Sequence, residues 1–145
     1  MGIPRVEIVT NGVLLDDPRR VQTLAGAGLT DAFVSLHAHD ERLSRVLTQK
    51  EGDFARTVQA VRHLAEAGVL TVLNHVISSR NYRYLISFVE FARAEFGGKV
   101  LISFAFVTPQ YKALEHFDLV PRLSDVVPYL KQAMKRALAV DQPFV

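Results

Sequence analysis

The sequence has 145 residues, of which 49% are apolar and 22% are charged, which is typical of one folded unit rather than of a disordered chain. Seventeen Lys and Arg residues against fifteen Asp and Glu residues give a net charge of +2, and the basic residues are dispersed, so we expect no nucleic-acid or membrane surface. The complete absence of cysteine excludes disulfides, thiolate metal sites and cysteine-ligated iron–sulfur clusters within these residues.

The first half of the chain predicts two strand–helix units. Residues 6–9 form an apolar, β-branched run typical of a strand, and Asp17 is suited to be the N-cap of the helix that follows. A second strand is predicted over residues 31–36. A long polar connection over residues 37–52 then leads to a second helix, which we expect Asp53 to cap.

The second half predicts two further units. A strand over residues 69–76 precedes a helix that starts near Asn81, and a strand over 100–106 precedes a last helix capped by Ser124. Residues 141–145 resemble the approach to another strand. The apolar residues expected to face inward from the last helix are Val127, Leu130, Met134 and Leu138.

Strands that alternate with helices predict an α/β fold with a parallel sheet and right-handed crossovers. Four βα units can close neither an eight-stranded barrel nor a six-stranded partial one, and we expect residues 1–145 to form one domain. In such sheets the loops after the carboxyl ends of the strands carry the functional residues. The loops predicted at those ends comprise residues 10–12, 35–40, 74–81 and 106–111.

Polar residues interrupt the apolar strands near these ends. The Asn and Gly of residues 10–12 also suit ordinary turn chemistry, and Ser35 also suits a local hydrogen bond to a backbone group. Asn74 favours a functional interpretation, because an amide inside a buried strand needs several partners. Asn81 is typical of an N-cap.

Taken in order, short segments along most of the chain resemble those of the radical S-adenosylmethionine (radical SAM) family. The matching segments are residues 10–12 (TNG), 27–29 (AGL), 34–40 (VSLHAHD), 47–49 (LTQ), 52–54 (GDF), 67–69 (AGV), 73–77 (LNHVI) with Asn81, and 121–122 (PR). The order of these segments is more specific than any one of them.

The resemblance implies that residues 1–145 form a parallel βαβα partial barrel, equivalent to the third to sixth strand–helix units of a TIM-like (β/α)6 barrel. In that family a CxxxCxxC loop after the first strand binds a [4Fe–4S] cluster, and cleavage of SAM by the reduced cluster yields a 5′-deoxyadenosyl radical. Neither this loop nor the segment that holds the methionine amine of SAM has a counterpart here. We therefore expect a truncated radical SAM domain that binds no cluster and is inactive alone.

The resemblance also implies roles for individual strand-end residues. By position, it assigns SAM contacts to Thr10, Asn11, Ser35 and Asn74, and substrate contacts to His37 and His39. It assigns no catalytic residue and no metal ligand. Because half of the family's SAM pocket has no counterpart, SAM affinity is expected to be weak or absent in this chain alone.

Two other functions are compatible with the sequence. In an extended chain His37 and His39 project to the same side, as a zinc pair in a metal-dependent hydrolase of the amidohydrolase type requires. That function needs further ligands at later strand ends, and only His75 is suitably placed. The other alternative is a non-catalytic remnant or binding module.

The remaining expectations concern partners and location. The first strand has an unpaired edge, so we expect the chain to associate either with a missing N-terminal barrel half or with a second copy of itself. Light scattering would detect self-association as dimers or aggregates. The N-terminus lacks a signal-peptide pattern, and no apolar run approaches the ~20 residues of a membrane span, so we expect a cytoplasmic protein.

Overall fold

The fold is α/β, as the sequence predicts, and consists of one open parallel sheet. The structure, a computed structural model, describes residues 4–108 and 116–145. The strands are β1 (Glu7–Thr10), β2 (Asp31–Ser35), β3 (Leu70–Ile77) and β4 (Leu101–Phe106), in the sheet order β1-β2-β3-β4. The helices are α1 (Pro18–Gly26), α2 (Glu41–Thr48), α3 (Asp53–Glu66), α4 (Leu85–Phe96) and α5 (Leu123–Ala139). Residues 109–111 of the last predicted strand-end loop lie outside the described residues.

Both ends of the sheet agree with the predicted partial barrel. All pairings between neighbouring strands are parallel, and β1 forms one edge of the sheet. At the other edge Phe144 forms a parallel bridge with Ile102 of β4, so residues 141–145 do approach the position of a further strand. The sheet formed by the described residues does not close. None of the helices in residues 4–108 and 116–145 is both long and apolar enough to cross a membrane.

The core lies on one face of the sheet. The side chains of Val34, Leu73 and Ile102 occupy one level across β2, β3 and β4 and are fully buried. Leu64 of α3 and Phe88 of α4 belong to the same buried cluster. Burial of each such side chain contributes about 1.5–3 kcal/mol, so these helices fix the strands and, through them, the positions of the strand ends.

The opposite face of the sheet is more open. Val9 of β1 is 72% exposed and Leu70 of β3 is 49% exposed, although parallel sheets are ordinarily covered on both faces. We name this the open face. Association of the chain through the β1 edge stays a prediction.

The polar connection over residues 37–52 contains a helix that the sequence analysis missed. The side chain of Asp40 accepts a hydrogen bond from the backbone N–H of Leu43 at 2.6 Å and so caps α2. Leu43 is buried, which gives this short helix an inner face. The cap predicted for α3 was also wrong, because Gly52 occupies the N-cap position and Asp53 is the first helical residue.

The last helix faces the core differently from the prediction. It begins at Leu123 rather than after a Ser124 cap, and its fully buried residues are Val126, Ala133 and Ala137. Of the residues predicted to face inward, Leu130 packs against the core, whereas Val127, Met134 and Leu138 are exposed by 39%, 38% and 72%. Two alanines bring α5 close to its neighbour α4, and that packing decides which stripe of the helix is buried.

Candidate functional site

A row of polar side chains crosses three strands near their carboxyl ends. The register pairs Ser35 with Asn74 and Asn74 with Ser103. The preceding residues in these strands are buried under the helices, and successive side chains alternate between faces, so all three point to the open face. Neighbouring strands lie about 4.8 Å apart, which places the three side chains side by side. We call Ser35, Asn74 and Ser103 the polar row.

The polar row has unused hydrogen-bonding capacity. Within the described residues, no side-chain hydrogen bond is formed by Ser35, Asn74 or Ser103, although each is only partly exposed. The sequence analysis expected several hydrogen-bond partners for the Asn74 amide, and the described residues do not provide them. Ser103 was not identified from the sequence, and the signal that finds it is its register opposite Asn74.

The loop after β1 is a turn that is stabilised by hydrogen bonds from its own backbone to its own polar side chains. The Thr10 hydroxyl accepts a hydrogen bond from the N–H of Gly12 at 3.0 Å, and Asn11 Oδ1 accepts one from the N–H of Val13 at 3.2 Å. Thr10 is paired with Val34, so its side chain lies on the helix-covered face. The structure therefore separates Thr10 from the polar row, whereas the exposed Asn11 reaches the cleft described next.

A cleft lies where the ends of β1 and β2 meet α2 and α3. It has a volume of about 120 Å³ and is lined by Asn11, Ser35 and His37 of the predicted site. Its other polar and aromatic lining residues are Ser44, Thr48, Lys50, Asp53, Phe54 and Thr57. The sequence analysis missed this second group as site residues, in part because it did not predict α2. Sites for whole small molecules occupy about 300–1,000 Å³, so this cleft has room for only a part of such a ligand.

A larger cavity lies elsewhere. It measures about 330 Å³ and is formed between α3 and α4, with Arg62, Glu66, Glu95 and Lys99 in its lining. These residues lie near the C-terminal ends of the two helices, at the end of the sheet opposite the polar row. The cleft at the strand ends is therefore the better candidate site despite its smaller volume.

His37 extends the hydrogen bonding between β2 and β3 beyond the end of β2. The N–H of Leu36 donates to the carbonyl of Asn74 at 3.2 Å, and the N–H of Val76 then donates to Nδ1 of His37 at 3.1 Å. An Nδ1 atom that accepts a hydrogen bond requires a neutral ring with its proton on Nε2. Burial lowers the pKa of His37, against an opposing backbone contact to Asn74, and so favours this neutral form.

Asn81 ties the loops after β2 and β3 together. Its Oδ1 accepts hydrogen bonds from the backbone N–H and the hydroxyl of Ser78, at 2.7 and 3.2 Å. Its Nδ2 donates to the carbonyls of His37 and Val76, at 3.1 and 2.9 Å. Asn81 is only 1% exposed. The expected N-cap contact from its side chain is not formed, and the amide instead holds the loop that carries His37.

His75 is a core residue. Its ring packs at 4.0 Å, centroid to centroid, from the ring of Phe88, and its Nδ1 has no hydrogen-bond partner among the described residues. Complete burial, with smaller contributions from the nearby His37 and His39, lowers the pKa of His75 to about 3. The ring is therefore neutral at physiological pH.

His37 and His39, the candidate zinc ligands of a metal-dependent hydrolase, have different surroundings. His37 lines the strand-end cleft, whereas His39 lines a separate cavity and packs at 5.5 Å from the ring of Tyr84. Across residues 4–108 and 116–145, no group of three or more His, Asp or Glu side chains is placed to hold a metal ion. No observation in the described structure favours the hydrolase.

Comparison with models of known protein families shows the family to which the chain belongs. The model of the radical SAM superfamily matches residues 1–92, which is more than half of the sequence and includes β1, β2 and β3. The chain belongs to the radical SAM superfamily. No curated protein matches this radical SAM chain.

The two cofactors of radical SAM proteins fit these residues unequally. A [4Fe–4S] cluster does not fit, because its irons are held by cysteine thiolates and the 145 residues include no cysteine. SAM fits in part, since its ribose hydroxyls and carboxylate are suitable partners for the unused hydroxyl and amide groups of the polar row. When bound in the family's enzymes, SAM supplies the 5′-deoxyadenosyl group for radical chemistry.

Proposed function

We propose that this radical SAM chain contributes SAM contacts from the carboxyl ends of its strands, while the thiolates of any cluster come from residues outside it. The observation that carries the proposal is the polar row, whose unused hydrogen-bonding groups face the open side of the sheet at a common level. In this proposal the chain by itself is a SAM-binding module without catalytic activity.

Each side chain has a role that follows from its chemistry. The Ser35 hydroxyl both donates and accepts hydrogen bonds, which suits a ribose hydroxyl or the methionine carboxylate of SAM. The Asn74 amide, beside it on β3, offers two donors and an acceptor to the same ligand. Asn11 contributes from the far side of the cleft, and the Nε2 proton of His37 is available to a substrate.

The proposed affinity is low. The cleft holds about 120 Å³, and the polar row lies on a face that the described residues leave open. SAM would bury only part of its surface here, whereas tight small-molecule sites bury 70–90% or more. We therefore expect dissociation constants on the order of millimolar, which corresponds to about 4 kcal/mol of binding free energy.

A titration with SAM tests this proposal directly. Backbone NMR spectra recorded with SAM up to millimolar concentration should show shifts that cluster at Ser35, Asn74 and Ser103. Asn74→Leu, which keeps the side-chain volume but removes the amide, should weaken binding about fivefold, since one hydrogen bond contributes about 1 kcal/mol.

Gln132→Leu is the matched control, because it makes the same kind of change on an exposed part of α5. It should leave the titration unchanged. Shifts confined to surfaces away from the strand ends, or equal SAM binding by the Asn74 and Gln132 variants, would show that the polar row does not hold SAM.

A further inference from the structure

A further cavity, separate from the strand-end cleft and from the cavity between α3 and α4, is lined by His39. It measures about 220 Å³ and is lined by His39, Arg42, Leu43, Val46, Arg80 and Tyr84. We propose that this cavity, named the His39 cavity, binds a small anion that carries an aromatic ring. The proposal concerns a different site from the polar row and requires neither SAM nor a cluster.

The charge of the cavity favours an anion. Among the described residues Arg42 forms no ion pair, and no carboxylate lines the cavity. Arg80 is held by two long contacts, from Nη1 to the carbonyl of Val46 at 3.4 Å and from Nη2 to a carboxylate oxygen of Asp118 at 3.8 Å. The positive charge of Arg80 is thus only loosely compensated.

One nearby carboxylate is already engaged. Asp40 Oδ2 lies 3.6 Å from His39 Nε2, and its Oδ1 accepts the capping hydrogen bond from Leu43. The capping contact directs Asp40 toward the first turn of α2. The lining itself carries the guanidinium groups of Arg42 and Arg80 and no carboxylate, and planar guanidinium groups are suited to bind phosphate or carboxylate oxygens.

The walls of the cavity favour an aromatic ring. His39 and Tyr84 pack with their ring centroids 5.5 Å apart and their planes inclined by 36°, within the range of favourable aromatic pairs. Val46, which also lines the cavity, is 50% exposed although it is apolar. A ring bound in the cavity would cover Val46 and extend the aromatic pair.

The size of the cavity limits the ligand. Liquid water occupies about 30 Å³ per molecule, so 220 Å³ corresponds to roughly seven waters. This is enough for one ring and one anionic group. Arg80 also lines the neighbouring cavity that contains His37, so a ligand held here would lie beside the loop of the proposed SAM site.

Phenyl phosphate is the probe, with inorganic phosphate and benzyl alcohol as the charge-only and ring-only comparators. In NMR titrations of the full chain, phenyl phosphate should shift the resonances of His39, Arg80 and Tyr84. It should bind at least about tenfold more tightly than either comparator, because both the ring and the anion contribute. Inorganic phosphate that binds as tightly as phenyl phosphate would overturn the proposal.

Arg42→Gln should weaken phenyl phosphate binding about tenfold, since it removes a charge-assisted contact. Arg83→Gln is the matched control, because it removes the same charge three residues after Arg80 from a side chain that lies over the Tyr82 ring and does not line the cavity. Both residues are exposed, so both variants should fold, which circular dichroism would verify. Equal affinities for the two variants, or shifts that map elsewhere, would exclude the His39 cavity as the binding site.

Discussion

Acidification from pH 6.5 to about 3.5 should destabilise the fold by about 4 kcal/mol through His75 alone. In the unfolded chain this ring binds a proton below its ordinary pKa of 6.5, whereas in the folded chain burial lowers the pKa to about 3. Between these values the unfolded state binds more protons, so stability is greatest above pH 6.5 and falls as the pH decreases. The slope is about 1.4 kcal/mol per pH unit.

Urea denaturation at a series of pH values measures this effect. His75→Phe retains a ring against Phe88 and Phe104, and it should lose most of the slope between pH 6.5 and 3.5. His116→Phe, which changes an exposed loop residue, is the control and should keep the slope. If the His75 variant does not fold, an NMR titration of the His75 ring in the native chain tests the prediction instead. A titration midpoint near pH 6.5 would show that burial does not lower the pKa of His75.

Asn81→Ala should cost about 3 kcal/mol in the free energy of unfolding. The substitution leaves the N–H of Ser78 and the carbonyls of His37 and Val76 without their side-chain partner in a buried position. Each buried polar group that loses its partner costs about 1–3 kcal/mol, and water entry reduces the sum. Urea denaturation at neutral pH measures the loss.

Two further variants make the Asn81 test specific. Asn11→Ala removes an exposed amide that accepts a single local hydrogen bond, and it should cost about 1 kcal/mol or less. Asn81→Asp keeps the acceptor toward Ser78 but places a second oxygen against the carbonyls of His37 and Val76, so it should destabilise as strongly as Asn81→Ala. Losses no larger than that of Asn11→Ala would show that Asn81 does not hold the two loops.

The strands could be predicted from the sequence because each is a short apolar run. The helix α2 could not, since its polar surface resembles a loop and its inner face depends on the buried Leu43. The buried stripe of α5 was assigned to the larger apolar residues, but packing against α4 selects Ala133 and Ala137, whose small size permits close approach. The residue types alone do not reveal which side of α5 is buried.

The candidate site was predictable only in part for a related reason. Ser35 and Asn74 lie in register, so their proximity follows from the predicted strands. Thr10 belongs to the opposite face, and a shift of one residue in the predicted strand is enough to reverse such an assignment. The hydrogen bond from Asn81 to the carbonyl of His37, in the loop after β2, is a tertiary contact, which sequence spacing does not reveal.

Anaerobic reconstitution of the chain with iron and sulfide, followed by reduction in the presence of SAM, tests the central claim most directly. The claim is that this radical SAM chain has SAM-contacting strand ends but no thiolates for the cluster. The account predicts that no cluster absorption appears and that 5′-deoxyadenosine stays at the level of a no-protein control. Formation of 5′-deoxyadenosine above that control would contradict it.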